Sequence, residues 1–346
     1  MSIFLASLCL LGGIAGRQEP IVYKNLAIYP IASGLSGRPA NVITLDEGIK
    51  DGTVVITESG SQPPLIRNHP PSGGAGFGFP REQQANPYQG GGAQVNTLWL
   101  TNTSGKTLLL IAGEMVVGGQ QDRIIQKDGL IPSGKQPVDL AVFCVEHGRW
   151  TSQTQKFGTA IGGGGRGMGG FAAPAVRGAA VVNQDQGRVW SKVAQQVDAL
   201  GTTTETGTYR ANYVDPKSAS RMEEFVQAID ARFPIQNAAG AVVAINGRLV
   251  WMDRFDSPQT FRKYWPKLLK SYALEAMAAP TLEAKYPSYA SAIRYAESRE
   301  GKASFEGQEG LSKLTKVESD TTVLYELEDL QSSPGILVHA NKVTKN

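Results

Sequence analysis

The pattern of hydrophobic and polar positions divides the chain into a strand-like first part and a helical later part. Ile21 to Ile31 is rich in Val, Ile and Tyr and reads as a strand ending at a Ser-Gly turn. Val42 to Leu45 leads into the short acidic piece Asp46 to Lys50, and Val54 to Thr57 reads as a further strand. From Val95 to Asn102 the residues alternate: Leu98 and Leu100 point one way, Thr97, Trp99 and Thr101 the other. The turn Asn102-Thr103-Ser104-Gly105 joins this strand to the apolar run Leu108 to Ala112, so a hairpin is expected. A second apolar run, Val138 to Val145, follows.

From Asp185 the period changes to that of a helix. Val189, Trp190, Val193 and Val197 share one face. Asp215 is an expected N-cap with Pro216 at the first helical position; Met222, Phe225, Val226 and Ile229 line that helix, and Pro234 stops it. Asn246-Gly247 lies between two apolar runs and predicts a hairpin. Ser257-Pro258 opens another helix, which Pro266 is expected to kink or split. A further helix follows Pro287, and Thr321 to Leu327 and Ile336 to His339 are strand-like. Strands first, then helices, with strands interleaved late, favour an α+β fold: a β-rich N-terminal half packed with a helical C-terminal half that contains the late hairpin.

Two stretches interrupt this pattern. Residues 59–92 hold Pro63-Pro64, Pro70-Pro71 and many glycines but few aliphatic side chains, and residues 157–180 carry Gly162 to Gly165 and Gly169-Gly170. Such segments bury too little surface to offset their ordering entropy, and both are expected to be flexible loops. The glycine run has no following Lys and no strand-to-helix context, so it does not read as a phosphate loop.

Composition narrows the classes. With 346 residues the chain can bury a sizeable core, and a net charge of +3 without any basic block argues against nucleic acid. Met1 to Gly16 carries no charged side chain. Its apolar part, Ile3 to Ile14, is too short for a membrane span, which needs ~20 residues, but fits a secretory leader lacking a basic start. Export to the periplasm or the exterior is therefore expected, and a cytoplasmic location if the segment is not a signal. The chain then divides into a leader (1–16), a main domain (20–280) and a C-terminal extension of helix and strands (281–346). Of two cysteines, Cys9 and Cys144, one remains after leader removal, which excludes an internal disulfide and a Cys-based zinc site.

Polar chemistry concentrates between Thr107 and Trp150. Two apolar runs each deliver a carboxylate and an arginine into a glycine-bearing turn: Glu114 before Gly118-Gly119-Gln120-Gln121-Asp122-Arg123, and Glu146 before Gly148-Arg149-Trp150. Glu114 and Glu146 extend core-facing rows, where burial raises a carboxyl pKa and a nearby Arg lowers it. They could form a general acid/base pair or, with Asp122, chelate Mg²⁺ or Ca²⁺; the site as assigned needs no metal, and the sequence names no cofactor. Arg123 and Arg149 suit a small anion such as a carboxylate or phosphate, with Gln121 and Asp122 beside them and Trp150 as a rim aromatic or a core anchor. The alternative is a buried Glu–Arg network that only fixes two turns. Cys144 and His147 lie three apart on a strand and face opposite sides, so a thiol nucleophile is not expected. Gly-x-Ser-x-Gly and His-Glu-x-x-His motifs are absent.

The blocks Gly113-Glu114, Gly118 to Arg123 and Cys144 to Trp150 resemble the ARG and rhodanese-phosphatase-superfamily-associated protein domain. So do Ala244 to Gly247, Phe255-Asp256-Ser257 and Trp265 to Ala273. The resemblance spans about residues 20 to 280. It implies, by association, a role near ADP-ribose or NAD-derived metabolism, and it carries over no catalytic residue. Two functions follow as expectations: binding or hydrolysis of a small anionic ligand, ADP-ribose-like or a sugar phosphate, at the Glu/Arg site; or a secreted, non-enzymatic interaction module in which the same residues are structural.

Overall fold

The computed structural model describes residues 19–33, 41–59, 96–149, 156–161, 169–309, 312–331 and 335–345. The leader, most of the 59–92 stretch, the Gly162 to Gly165 run and Trp150 lie outside them.

The N-terminal half is built of short strands: β1 (Ile21–Tyr23), β2 (Leu26–Ala32), β3 (Val42–Thr44), β4 (Val54–Glu58), β5 (Thr97–Asn102), β6 (Thr107–Leu110), β7 (Met115–Val116), β8 (Arg123–Ile125), β9 (Gly129–Ile131) and β10 (Val138–Cys144), with α1 (Leu45–Lys50) between β3 and β4. Helices α2 (Pro174–Gly178), α3 (Gln186–Leu200), α4 (Ala211–Val214) and α5 (Pro216–Asp230) follow. The hairpin β11 (Ala238–Ile245) and β12 (Arg248–Phe255) then precedes α6 (Pro258–Ala278) and α7 (Tyr289–Glu297). The chain closes with β13 (Lys302–Glu309), β14 (Ser312–Glu318), β15 (Thr322–Asp329) and β16 (Ile336–Thr344). The fold is α+β.

Three sheets organise these strands. The largest is antiparallel in the order β1-β2-β11-β12-β16-β15-β14-β13, so the first and last strands of the chain share it. Strands β13 to β16, all after residue 280, form one side of this sheet. A five-stranded sheet runs β4-β5-β10-β8-β7, and a three-stranded one runs β3-β6-β9. Leu98 and Leu100 point into the core of the smaller sheets together with Leu108, Leu140 and Val142, as the alternation requires.

Strand β11 is buried along its whole length because both faces of the large sheet are covered. Ala241, Val243 and Ile245 meet the core that contains α5 and α6, while Val242 and Ala244 meet the side of α7. Asn246 (φ 48°) and Gly247 (φ 77°) both adopt the left-handed conformation that a two-residue hairpin turn needs. Asp185, Asp215 and Ser257 cap α3, α5 and α6 by accepting N–H bonds from Arg188, Ser218 and Thr260.

Several expectations are corrected. The hairpin expected of β5 and β6 does not form: β5 pairs with β4 and β10, and β6 pairs with β3 and β9 in another sheet. The single strand expected over Ile21 to Ile31 is two, β1 and β2, folded back on each other. Of the kink or split expected at Pro266, the split does not occur: α6 runs unbroken over 21 residues. It is buried on several sides, with Trp265 stacked on Phe233 at 3.9 Å, and tertiary packing outweighs the missing N–H bond. The far part of the 157–180 stretch is not a loop. Phe171, Ala172 and Ala173 are buried, α2 follows, and a π-helical turn at Ala179–Asn183 continues it. The small residues there serve close packing. Among the described residues no helix is long and apolar enough to cross a membrane.

Candidate functional site

The run Leu108 to Ala112 is fully buried and turns at Gly113, whose φ is +88°. A Cβ here would lie 2.4 Å from Cγ of Arg177, so glycine is required twice over. The turn folds Glu114 back: the Ile111 N–H donates to its Oε2 at 2.8 Å. Lys267 of α6 donates to Glu114 Oε1 at 2.5 Å and to Asp46 Oδ2 at 2.7 Å, with its ammonium over the rings of Phe171 and Tyr264. Burial pushes the Glu114 carboxyl up against the pull of Lys267. Burial also opposes the charge on Asp46, but Lys267 outweighs it and holds that carboxyl low. Glu114 and Lys267 are both almost fully buried.

The second turn carries Gly118 (φ +120°) and Gly119 (φ +51°). Arg149 reaches across it. Its Nε and Nη2 donate to Glu146 Oε2 at 2.9 and 2.6 Å, its Nη1 to the Gly119 carbonyl at 2.7 Å, and its Nη2 also lies 3.3 Å from Asp122 Oδ1. Asp122 is fully buried and accepts from the Gly118 N–H at 3.0 Å and from the Thr208 hydroxyl at 3.0 Å, with Arg210 Nε at 3.5 Å. Its own N–H donates to Glu146 Oε2 at 3.1 Å. Burial raises the Asp122 carboxyl, and the neighbouring Glu146 charge adds to this against Arg210. For Glu146 the bonds from Arg149 and the Asp122 N–H outweigh burial and lower its pKa.

The sequence-derived residues thus fall into two separate clusters. Glu146, Arg149 and Asp122 come together. Glu114 belongs to Lys267 and Asp46, and the two glutamates share no partner among these contacts. Arg123 is buried on β8 opposite Cys144 of β10. Gln121 is fully buried, and neither atom of its carboxamide has a hydrogen-bond partner. Cys144 is buried and burial pushes its thiol up to about 11; His147 is exposed and packs edge-on against Trp190 at 4.6 Å. Among the described residues no group of three or more His, Cys, Asp or Glu side chains is gathered as for a metal ion.

Sequence reasoning passes over a third cluster, the densest of all. Arg177 of α2 makes a two-pronged pair with Asp253 of β12, at 2.9 and 2.8 Å, and its Nε donates to the Ala112 carbonyl at 3.0 Å. Trp251 Nε1 and the Tyr272 hydroxyl both donate to Asp253 Oδ2, at 2.8 and 2.5 Å. His339 of β16 lies between two carboxylates, with Nδ1 2.6 Å from Asp128 Oδ2 and Nε2 3.3 Å from Asp253 Oδ1. Asp128 also accepts from the Ala112 N–H at 2.7 Å. Burial works against the charge on His339, but Asp128 and Asp253 outweigh it and push its pKa up to about 9. Burial is likewise outweighed at Asp253, chiefly by Arg177, and its carboxyl is held far below the usual range. One signal was readable: Asp253 and His339 directly follow the apolar runs Leu249 to Met252 and Ile336 to Val338.

Most of the charge in these clusters is met inside the protein: Arg149 and Arg210 face Glu146 and Asp122, and Arg177 and His339 face Asp253 and Asp128, while Lys267 alone serves both the buried Glu114 and the part-exposed Asp46. No curated protein and no solved structure matches the chain. One family model does, over residues 17–341, which extends past residue 280 through the last strands of the large sheet. The chain belongs to the ARG and rhodanese-phosphatase-superfamily-associated protein domain family.

Proposed function

We propose that the chain is a non-enzymatic interaction module in which Glu114, Asp122, Glu146 and Arg149 hold its turns in place. The observation that supports this most is the engagement of Arg149. Its guanidinium is spent on Glu146, Asp122 and the Gly118-Gly119 turn, inside the protein. A guanidinium that clamps an incoming anion must present its fork to a cleft. Removing one partner of a buried pair leaves an uncompensated charge and costs about 3–5 kcal/mol. The test is a melting-temperature series on wild type, Glu114→Gln and Arg149→Ala, each with and without ADP-ribose, sugar phosphates and inorganic phosphate. Under this reading both variants melt well below wild type and no anion shifts any of them. Wild-type melting temperatures in both variants, with an anion-dependent shift in wild type alone, would overturn it.

The reading of a small anionic ligand, ADP-ribose-like or a sugar phosphate, keeps one supporting observation, the buried and unpartnered Gln121 carboxamide. The same screen decides it. We also propose export, on the strength of the uncharged apolar segment Ile3 to Ile14. N-terminal sequencing of the mature protein tests this: a start beyond Gly16 supports it, and a start at Met1 or Ser2 contradicts it.

A further inference from the structure

Helix α1 has six residues, and an isolated helix needs ~12–15 to persist in water, so α1 depends on what holds it from outside. Of its residues only Leu45 and Gly48 are buried. Leu45 packs in the core of the two smaller sheets, whereas Phe261, Tyr264 and Leu268 of α6 pack in the core of the large sheet. Two ion pairs join α1 to α6 and so tie one core to the other.

Asp46 and Glu47 stand side by side in the first turn of α1, and Lys263 and Lys267 stand one turn apart on α6. Lys263 Nζ lies 2.9 Å from Glu47 Oε1, and Lys267 Nζ donates to Asp46 Oδ2 at 2.7 Å. Lys263 and Glu47 are exposed, Lys267 is buried and Asp46 is part-exposed. Lys267 is also shared: it faces Glu114 in the turn after β6 and the ring of Tyr264 on its own helix. Glu47 accepts from the Thr44 N–H as well, which closes the capping box of α1.

These contacts respond to acid in one direction. Burial opposes the charge on Glu47, but the Thr44 N–H and Lys263 outweigh it and hold its carboxyl low, as Lys267 does for Asp46. A carboxyl lowered on folding contributes stability that is present above its unfolded pKa and lost as pH falls through the folded one. Both ties between α1 and α6 therefore weaken together on acidification. Glu114, whose carboxyl is raised, instead favours the folded state as it takes up a proton. Asp253 is held far lower and keeps its charge in this range. We propose that α1 is an acid-released clasp, whose two ion pairs to α6 open on acidification while the large sheet stays closed.

The test is hydrogen exchange of the full chain at about pH 6 and about pH 3, with protection corrected for the intrinsic pH dependence of exchange. The expected result is that the amides of α1 lose at least tenfold in protection at the lower pH and then lie at least a hundredfold below those of β11. The double variant Asp46→Asn, Glu47→Gln keeps the side-chain sizes and the capping box. Its α1 should be as weakly protected at the higher pH as that of wild type is at the lower, with β11 still protected. If the double variant does not fold, Glu47→Gln alone replaces it, with a several-fold loss of α1 protection expected. Loss of protection in α1 and β11 to the same level, which is global unfolding, would overturn the proposal. So would wild-type protection of α1 at the higher pH in a folded variant.

Discussion

His339 Nδ1 lies 2.6 Å from Asp128 Oδ2, joining the last strand of the large sheet to the turn before β9 across 211 residues. Both side chains are buried, and Asp253 stands on the far side of the imidazole. The imidazole, with Asn341 bonded to the same Asp128 carboxylate, thus links the N-terminal strands to the large sheet. Its folded pKa of about 9 lies above the unfolded value of 6.5. A group raised on folding contributes stability that is fully present below its unfolded pKa and is lost as pH rises through the folded one. Urea unfolding should therefore show stability falling between about pH 6.5 and 9, by on the order of 3 kcal/mol from this group. In His339→Gln that alkaline slope should flatten; an unchanged slope would mean that other groups set it.

Arg177 and Asp253 form a fully buried pair that also anchors Trp251 and Tyr272. Arg177→Met leaves the Asp253 carboxylate facing the core with half of its donors gone. The expected loss is about 3–5 kcal/mol, read as a drop in melting temperature on the order of 10 °C. The double variant Arg177→Met, Asp253→Asn should recover part of it. A double variant no better than the single one would show that the pair is not coupled.

Gln121 gives a test with the opposite sign. A buried amide without partners is costly, and an apolar residue of similar shape avoids that cost. If the residue only fills space, Gln121→Met should be neutral or more stable than wild type by up to ~1–3 kcal/mol. A clear loss of stability would show that the carboxamide is satisfied by a bound group.

Gly113→Ala should be strongly destabilising, because its φ of +88° and the Arg177 Cγ at 2.4 Å leave no room for a methyl. Gly105 also has a positive φ (+75°), but a Cβ there meets nothing within 4 Å. Gly105→Ala should cost about 1 kcal/mol or somewhat more, the backbone penalty alone. Equal losses at the two positions, measured by thermal unfolding, would contradict the steric argument at Gly113.

Periodicity made many elements readable, but not which strands pair: β5 and β6, adjacent in sequence, lie in different sheets. The alternation of Leu98 and Leu100, the caps at Asp185, Asp215 and Ser257, and the Asn246-Gly247 turn all stand in the structure as the pattern implies. Strands β13 and β14 were not readable, since polar residues such as Lys302, Ser304 and Lys316 leave weak alternation near an edge. The concentration of polar residues between Glu114 and Arg149 was legible, but its meaning was not. Glu114 finds its cation in Lys267, 153 residues away, and Arg177 finds Asp253 from a stretch whose glycines and alanines read as a loop. Partner identity is a property of tertiary packing, and local sequence carries no record of it.

Glu146 and Arg149 form a buried pair, and a double-mutant cycle on Glu146→Gln and Arg149→Met measures its structural role directly. The predicted result is a loss of about 3–5 kcal/mol in each single variant and a double variant much milder than their sum. Single variants that each unfold within ~0.5 kcal/mol of wild type, as surface substitutions do, would contradict it.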